Sequence, residues 1–145
     1  MKVVVQRVSR AAVRIDGETA GEIGRGLLVL AGFGPDDGED DLAWMADKLA
    51  GLRVFPDDDG RMDRGLDEVG GSLLVVSQFT LYGDVSRGRR PSFVAAADPG
   101  EAGRMYERFV ELCRGTGVTV RSGEFGAMMD VELVNDGPVT LILER

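Results

Sequence analysis

The chain contains no histidine. That absence removes Ser-His and Cys-His nucleophile pairs and every imidazole-ligated metal site. A single cysteine, Cys113, excludes an internal disulfide and a thiolate zinc cluster. Catalysis, if there is any, must come from carboxylates, hydroxyls, backbone groups or the substrate's own atoms, and no metal or organic cofactor is expected. No apolar run approaches the ~18 residues of a membrane span. No basic-apolar leader opens the sequence, so a secretory signal is not expected either. With a lone thiol, this points to a reducing, cytoplasmic compartment. Basic residues are few, 17 against 25 acidic ones, and the formal net charge is −8. Indiscriminate nucleic-acid binding is thereby disfavoured, but a local basic patch is not.

What is present suffices for a fold. A chain of 145 residues, 43% hydrophobic and 29% charged, is expected to form one globular domain spanning 1–145. Residues 3–15 are rich in β-branched side chains and carry Arg7, Arg10 and Arg14. Asp16-Gly17 signals a hairpin into a strand over 19–23, and Leu27 to Ala31 is a further apolar strand. Leu42, Met45, Ala46 and Leu49 recur at helical spacing behind an acidic first turn. A short strand is expected over 52–55. The run Asp57-Asp58-Asp59 lacks the remaining ligands of a calcium loop and reads as a solvated turn. A second helix is signalled by Asp98 as N-cap, Pro99 at the first position and Glu101 at the third. Its apolar face is Ala102, Met105, Tyr106, Phe109 and Cys113, which makes Cys113 a core thiol rather than a nucleophile. Strands at 118–120, through Met129, Val131 and Leu133, and at 139–143 complete the pattern. The expected class is α+β, with antiparallel sheet and two helices.

The chain is organised around Leu73 to Leu81. Leu73-Leu74-Val75-Val76 reads as a strand buried on both faces, and it turns polar at Ser77, Gln78 and Thr80, with Phe79 between. Two readings stand here. The Ser and Thr satisfy turn groups where a strand runs into a loop, or the core fixes a backbone whose polar end meets a ligand. Asn135-Asp136-Gly137-Pro138-Val139-Thr140 is equally open. It is a plain hairpin turn, or a cis Gly-Pro peptide that aims two carbonyls to one side and probes a ligand by shape. Residues 82–93 form a loop with Arg87, Arg89 and Arg90, either a solvated surface or a phosphate contact.

VSQFTL at 76–81 taken with NDGPVT at 135–140 closely resembles the D-aminoacyl-tRNA deacylases. The likeness covers the whole chain, through QRV at 6–8, GLLVL at 26–30, RGRRPSF at 87–93 and the spaced Gly123, Phe125, Ala127, Met129 and Val131. Asp63-Arg64-Gly65-Leu66 and the bulky Tyr82 depart from it. The resemblance implies a homodimer of barrel-like β-sheet subunits flanked by helices, with a cis Gly137-Pro138 of one subunit inserted into the active site of the other. It implies Arg7 as the residue that orients this motif. Ser77, Gln78, Phe79 and Thr80 would line the catalytic pocket, with Met129 at its rim and Asn135 and Thr140 as further substrate-side positions. The implied substrate is a tRNA mischarged with a D-amino acid, or glycine on a non-cognate tRNA. Backbone groups and the terminal 2′-hydroxyl would assist hydrolysis of the ester, and no cofactor or membrane partner is implied. If the Gly137 and Pro138 carbonyls fill the space an L side chain needs, L esters clash and glycine does not. Two other classes compete: a non-catalytic dimeric module for RNA or protein, and a carboxylate-based hydrolase of another small ester.

Overall fold

The computed structural model describes residues 1–145. The elements follow in the order β1 (Lys2–Ile15), β2 (Glu18–Ile23), β3 (Gly26–Gly32), α1 (Glu39–Ala50), β4 (Phe55–Pro56), β5 (Met62–Arg64), α2 (Leu66–Val69) and β6 (Ser72–Ser77). A 3-10 turn (Phe79–Tyr82), α3 (Pro99–Gly115), β7 (Thr119–Ser122) and β8 (Asp130–Glu144) complete the chain. No helix is long and apolar enough to cross a membrane.

β1 is the spine. Asp16 and Gly17, at φ 50° and 81°, make the tight turn that returns β2 along its second half. β3 pairs antiparallel with its first half, and β8 runs antiparallel along its other side. β6 then joins β3 in parallel, and β7 joins β6 in parallel. The sheet is therefore mixed, which corrects the expected antiparallel arrangement. The cause is connection length: β3 reaches β6 through α1, β4, β5 and α2, and β6 reaches β7 through α3, crossovers long enough to restore strand direction. The sheet curls until β2 lies beside β7, where a Cβ at Gly21 would stand 2.9 Å from the Ser122 carbonyl oxygen. The result is a nearly closed, barrel-like sheet.

Three further corrections concern local structure. There are three helices rather than two, α2 being a single turn. The strand expected over 52–55 begins only at Phe55, where it forms a two-stranded ribbon with β5. Asp98 stands at the N-cap of α3, but its side chain caps nothing.

Both long helices cover one face of the sheet. Val3, Val5, Leu27, Val29, Leu73 and Val75 pack against Leu42, Met45 and Leu49 of α1 and Met105, Phe109 and Cys113 of α3. The rings of Phe33 and Phe109 meet edge to face at 6.2 Å. Each fully buried Leu or Phe contributes roughly 1.5–3 kcal/mol. Alternate strand residues turn the other way. Val8, Val13, Leu28, Leu74 and Val76 form a smaller cluster, half-covered by Met129, Val131 and Leu133.

Candidate active site

Ser77 closes β6, and Gln78 makes the last tie to β3, its N–H donating to the Ala31 carbonyl at 2.8 Å. The chain then tightens into the 3-10 turn. The Leu81 N–H donates to Gln78 O at 3.2 Å and the Gly83 N–H to Thr80 O at 2.9 Å. Phe79 and Thr80 open the turn, so their own N–H groups have no partner inside it. The turn lies directly on β3: a Cβ at Gly32 would stand 2.9 Å from the Gln78 carbonyl oxygen. Ser77 and Gln78 are half-buried, whereas Phe79 and Thr80 are exposed. The Gln78 carboxamide donates to the Thr80 hydroxyl. Phe79 meets Phe93 edge to face at 5.0 Å.

The backbone beneath is held from the helix side. The Tyr106 hydroxyl lies 2.9 Å from Val75 O and 3.1 Å from Gly123 O, its proton shared between the two. Burial pushes this phenol up to about 12. The Gly123 N–H also donates to Val75 O, at 3.0 Å. Met129 packs over Gly123 in the smaller cluster, behind the end of β6.

The second motif is a bulge; of its two readings, the plain hairpin turn is the one the structure does not form. Val8 of β1 faces Asn135 of β8, and Gln6 faces Thr140. A single residue, Arg7, is thus opposed by four, Asp136 to Val139, and the strand resumes in its original direction. The Gly137-Pro138 peptide is cis, and Gly137 sits at φ 135°. Arg7 is buried and clamps the bulge from below. Its Nε donates to the Asp136 carbonyl at 3.0 Å and lies 3.4 Å from the Asp136 carboxylate, while Nη1 donates to the Val54 carbonyl at 2.6 Å. Asn135 closes the neck: its Nδ2 donates to Thr140 Oγ1 at 3.0 Å, and its Oδ1 accepts the Val139 N–H at 3.0 Å. Gln6 Nε2 donates to the same hydroxyl at 3.3 Å.

The structure therefore gathers the expected residues into two groups. Ser77 to Thr80 form one, and Arg7, Asn135, Gly137, Pro138 and Thr140 the other. They are not together within a chain. Ser77 faces Ala31, which faces Val3, which faces Leu143, three ladders across and well past the bulge along β8. Val54 and Gln6 belong to the second group without being singled out by the sequence. Val54 offers only a carbonyl, which no side-chain pattern reports. Gln6 is visible only as part of the QRV motif at 6–8, with no role attached to it.

An exposed turn at the end of a central parallel strand and a clamped Gly-Pro bulge mark a small α+β protein with a mixed, barrel-like sheet. The chain belongs to the D-Tyr-tRNA(Tyr) deacylase family, whose model matches residues 4–144. It is 58% identical to the D-aminoacyl-tRNA deacylase of Geobacter sulfurreducens over 144 residues, 99% of this chain and 95% of that protein. It is 56% identical to the D-aminoacyl-tRNA deacylase of Desulfatibacillum aliphaticivorans over 144 residues, 99% of each. The solved structure of the c-Myc DNA Unwinding Element Binding Protein superposes with a TM-score of 0.93 at 41% identity, covering 100% of this chain and 99% of that one.

Proposed function

We propose that this protein, acting as one catalytic domain over 1–145, is a D-aminoacyl-tRNA deacylase. It hydrolyses the ester between a D-amino acid and the terminal ribose of tRNA, accepts glycine on a non-cognate tRNA, and spares L-aminoacyl-tRNA. The observation that carries this reading is full-length membership in the deacylase family.

The chemistry asks little of side chains. Water adds to the ester carbonyl, an oxyanion forms, the bond to the ribose oxygen breaks, and that oxygen leaves with a proton. The N–H groups of Phe79 and Thr80 are the donors for the oxyanion, and each such donor is typically worth about 10²–10³ in rate. The 2′-hydroxyl of the terminal adenosine assists proton movement. Thr80 is disfavoured as a nucleophile because its hydroxyl is bonded to the Gln78 carboxamide, neither end of which is a base. Ser77 and Gln78 complete the pocket wall, and Met129 supports it through Gly123.

Selectivity falls to the bulge. Its carbonyls occupy the space of an L side chain, and Arg7, Asn135 and Thr140 hold it in place. The separation of the two groups within one chain supports a homodimer in which the bulge of one copy serves the pocket of the other. β8 pairs with β1 alone, and its Val134, Leu141 and Ile142 are exposed. That free edge supports the same reading. The setting is cytoplasmic, where charged tRNA is used.

One structural relative, 41% identical, is named for binding DNA. It favours a second reading, a nucleic-acid-binding module without turnover. Purified protein at low concentration, given matched D- and L-aminoacyl-tRNA, separates the two. Loss of the D ester with the L ester spared is expected. Loss of neither supports the binding module, and loss of both discards the bulge as a chiral filter.

A further inference from the structure

We infer that the loop between Asp84 and Ser92 is a phosphate clamp for the strand that delivers the aminoacyl end, its ligands being the guanidinium groups of Arg87, Arg89 and Arg90. This rests on the deacylase reading and adds to it the surface that engages the nucleic acid backbone.

The loop is a closed ring. Asp84 and Ser92 exchange both backbone hydrogen bonds, at 2.8 and 2.9 Å, and Gly88 turns the tip at φ 150°. All three arginines are exposed on that ring. None has a carboxylate partner, unlike Arg10, Arg14, Arg53, Arg64 and Arg108. Arg25, Arg61, Arg104, Arg114 and Arg121 are also without one, but they are scattered, whereas these three fall within four residues. From Val85 to Ala97 the only charged residues are these three. Asp84, the one acidic residue at the neck, is exposed; its carboxylate accepts the Ser86 N–H at 2.8 Å, which holds its pKa below the usual range and keeps it ionised, so the ring carries three positive charges against one negative.

Position makes this charge useful. The ring begins one residue after the 3-10 turn, and its far side is fastened to that turn by Phe93 against Phe79. Three unneutralised guanidiniums thus stand beside the place where the ester must lie. Elsewhere a chain of net charge −8 repels a polyanion. The attraction that brings RNA to the pocket must therefore be local, and an arginine fork suits phosphate oxygens. The phosphates in reach are those immediately 5′ of the terminal nucleoside.

The test compares two substrates, D-aminoacyl-tRNA and the D-aminoacyl ester of adenosine, which has no phosphate. In the triple variant R87A/R89A/R90A, the ratio of kcat/KM on tRNA to kcat/KM on the adenosine ester should fall at least tenfold. The slope of log kcat/KM against log salt for tRNA should flatten by about 2, near ~0.7 for each single-strand phosphate released. The R87K/R89K/R90K protein should keep most of that slope. An unchanged ratio or slope overturns the clamp. Equal losses on both substrates also overturn it, because the loop would then shape the pocket rather than hold phosphate. No turnover of either ester by the unaltered protein would instead overturn the deacylase reading, and the clamp with it.

Discussion

Gly137 is the residue on which the bulge depends. At φ 135° it has a backbone that L side chains rarely adopt, and a Cβ there would stand 3.1 Å from Arg7 Nη2 and 2.9 Å from Val139 Cγ2. Gly137→Ala should therefore strain the backbone and press the guanidinium off the Asp136 carbonyl. We expect about 1 kcal/mol or more of lost stability by urea titration, with a fall in kcat/KM on D-aminoacyl-tRNA. A variant with wild-type stability, activity and D/L selectivity would sink both the clamp geometry and the filter. Arg7 gives the complementary case. Arg7→Met leaves the Val54 and Asp136 carbonyls without their donor, at about 1–3 kcal/mol for each that stays dry. A urea midpoint unmoved by Arg7→Met would show that the guanidinium supports nothing. Cys113 is a simpler residue. Burial pushes its thiol up to about 12, so thiolate is scarce at pH 8. A disulfide reagent should label it slowly in the native protein and at once in denaturant, and rapid native labelling would contradict its burial.

At the scale of elements, the local periodicities were easy to read and the pairings were not. The stripe of Leu42, Met45, Ala46 and Leu49 and that of Ala102, Met105, Tyr106, Phe109 and Cys113 lie against the sheet as their spacing requires. Leu73 to Val76 is buried on both faces, as an unbroken apolar run implies. The same kind of run at Leu27 to Ala31 is the mark of a parallel neighbour, but partners chosen across crossovers leave no local trace. Asn135 to Pro138 shows the limit most clearly. Its residues are turn formers, and only the long reach of β1 beside it converts a turn into a bulge. The two-residue β4 and one-turn α2 are too short to carry a periodic signal. The two motifs were legible as a pair, and the family resemblance implied that they meet across two subunits, but nothing in their local residues shows how far apart they lie within one chain. The 3-10 turn yields its own prediction. With the Gln78 carbonyl over Gly32, Gly32→Ala must lift the turn or tilt β3. We expect kcat on D esters to fall several-fold while the urea slope m, which reports total exposed surface, stays the same. Full kcat in that variant would mean that the donors of Phe79 and Thr80 tolerate displacement and are not aimed at an oxyanion.

For the molecule as a whole, the question is whether one chain contains a site. Ser77 to Thr80 lie at the level of Leu143, and the bulge lies earlier on β8, three ladders away. A single sheet cannot fold one group onto the other without breaking the β1–β8 pairing that builds the bulge. If both groups act on one ester, they must come from two copies. Two damaged proteins can decide this. One carries Gly32→Ala, which disturbs the pocket and leaves the bulge intact, and the other carries Gly137→Ala, which does the reverse. Each homodimer then has two defective sites. Co-refolding equal amounts yields about half heterodimers under random pairing. In each heterodimer one pocket is intact and faces an intact bulge, while the opposite site carries both defects. Activity should rise from the residual level of either parent to about a quarter of wild type, once mixed dimers have formed. Mixing the folded proteins without exchange should give only the average of the parents. If co-refolding also gives only the average, each site is completed within its own chain, and the exposed edge of β8 must have another use.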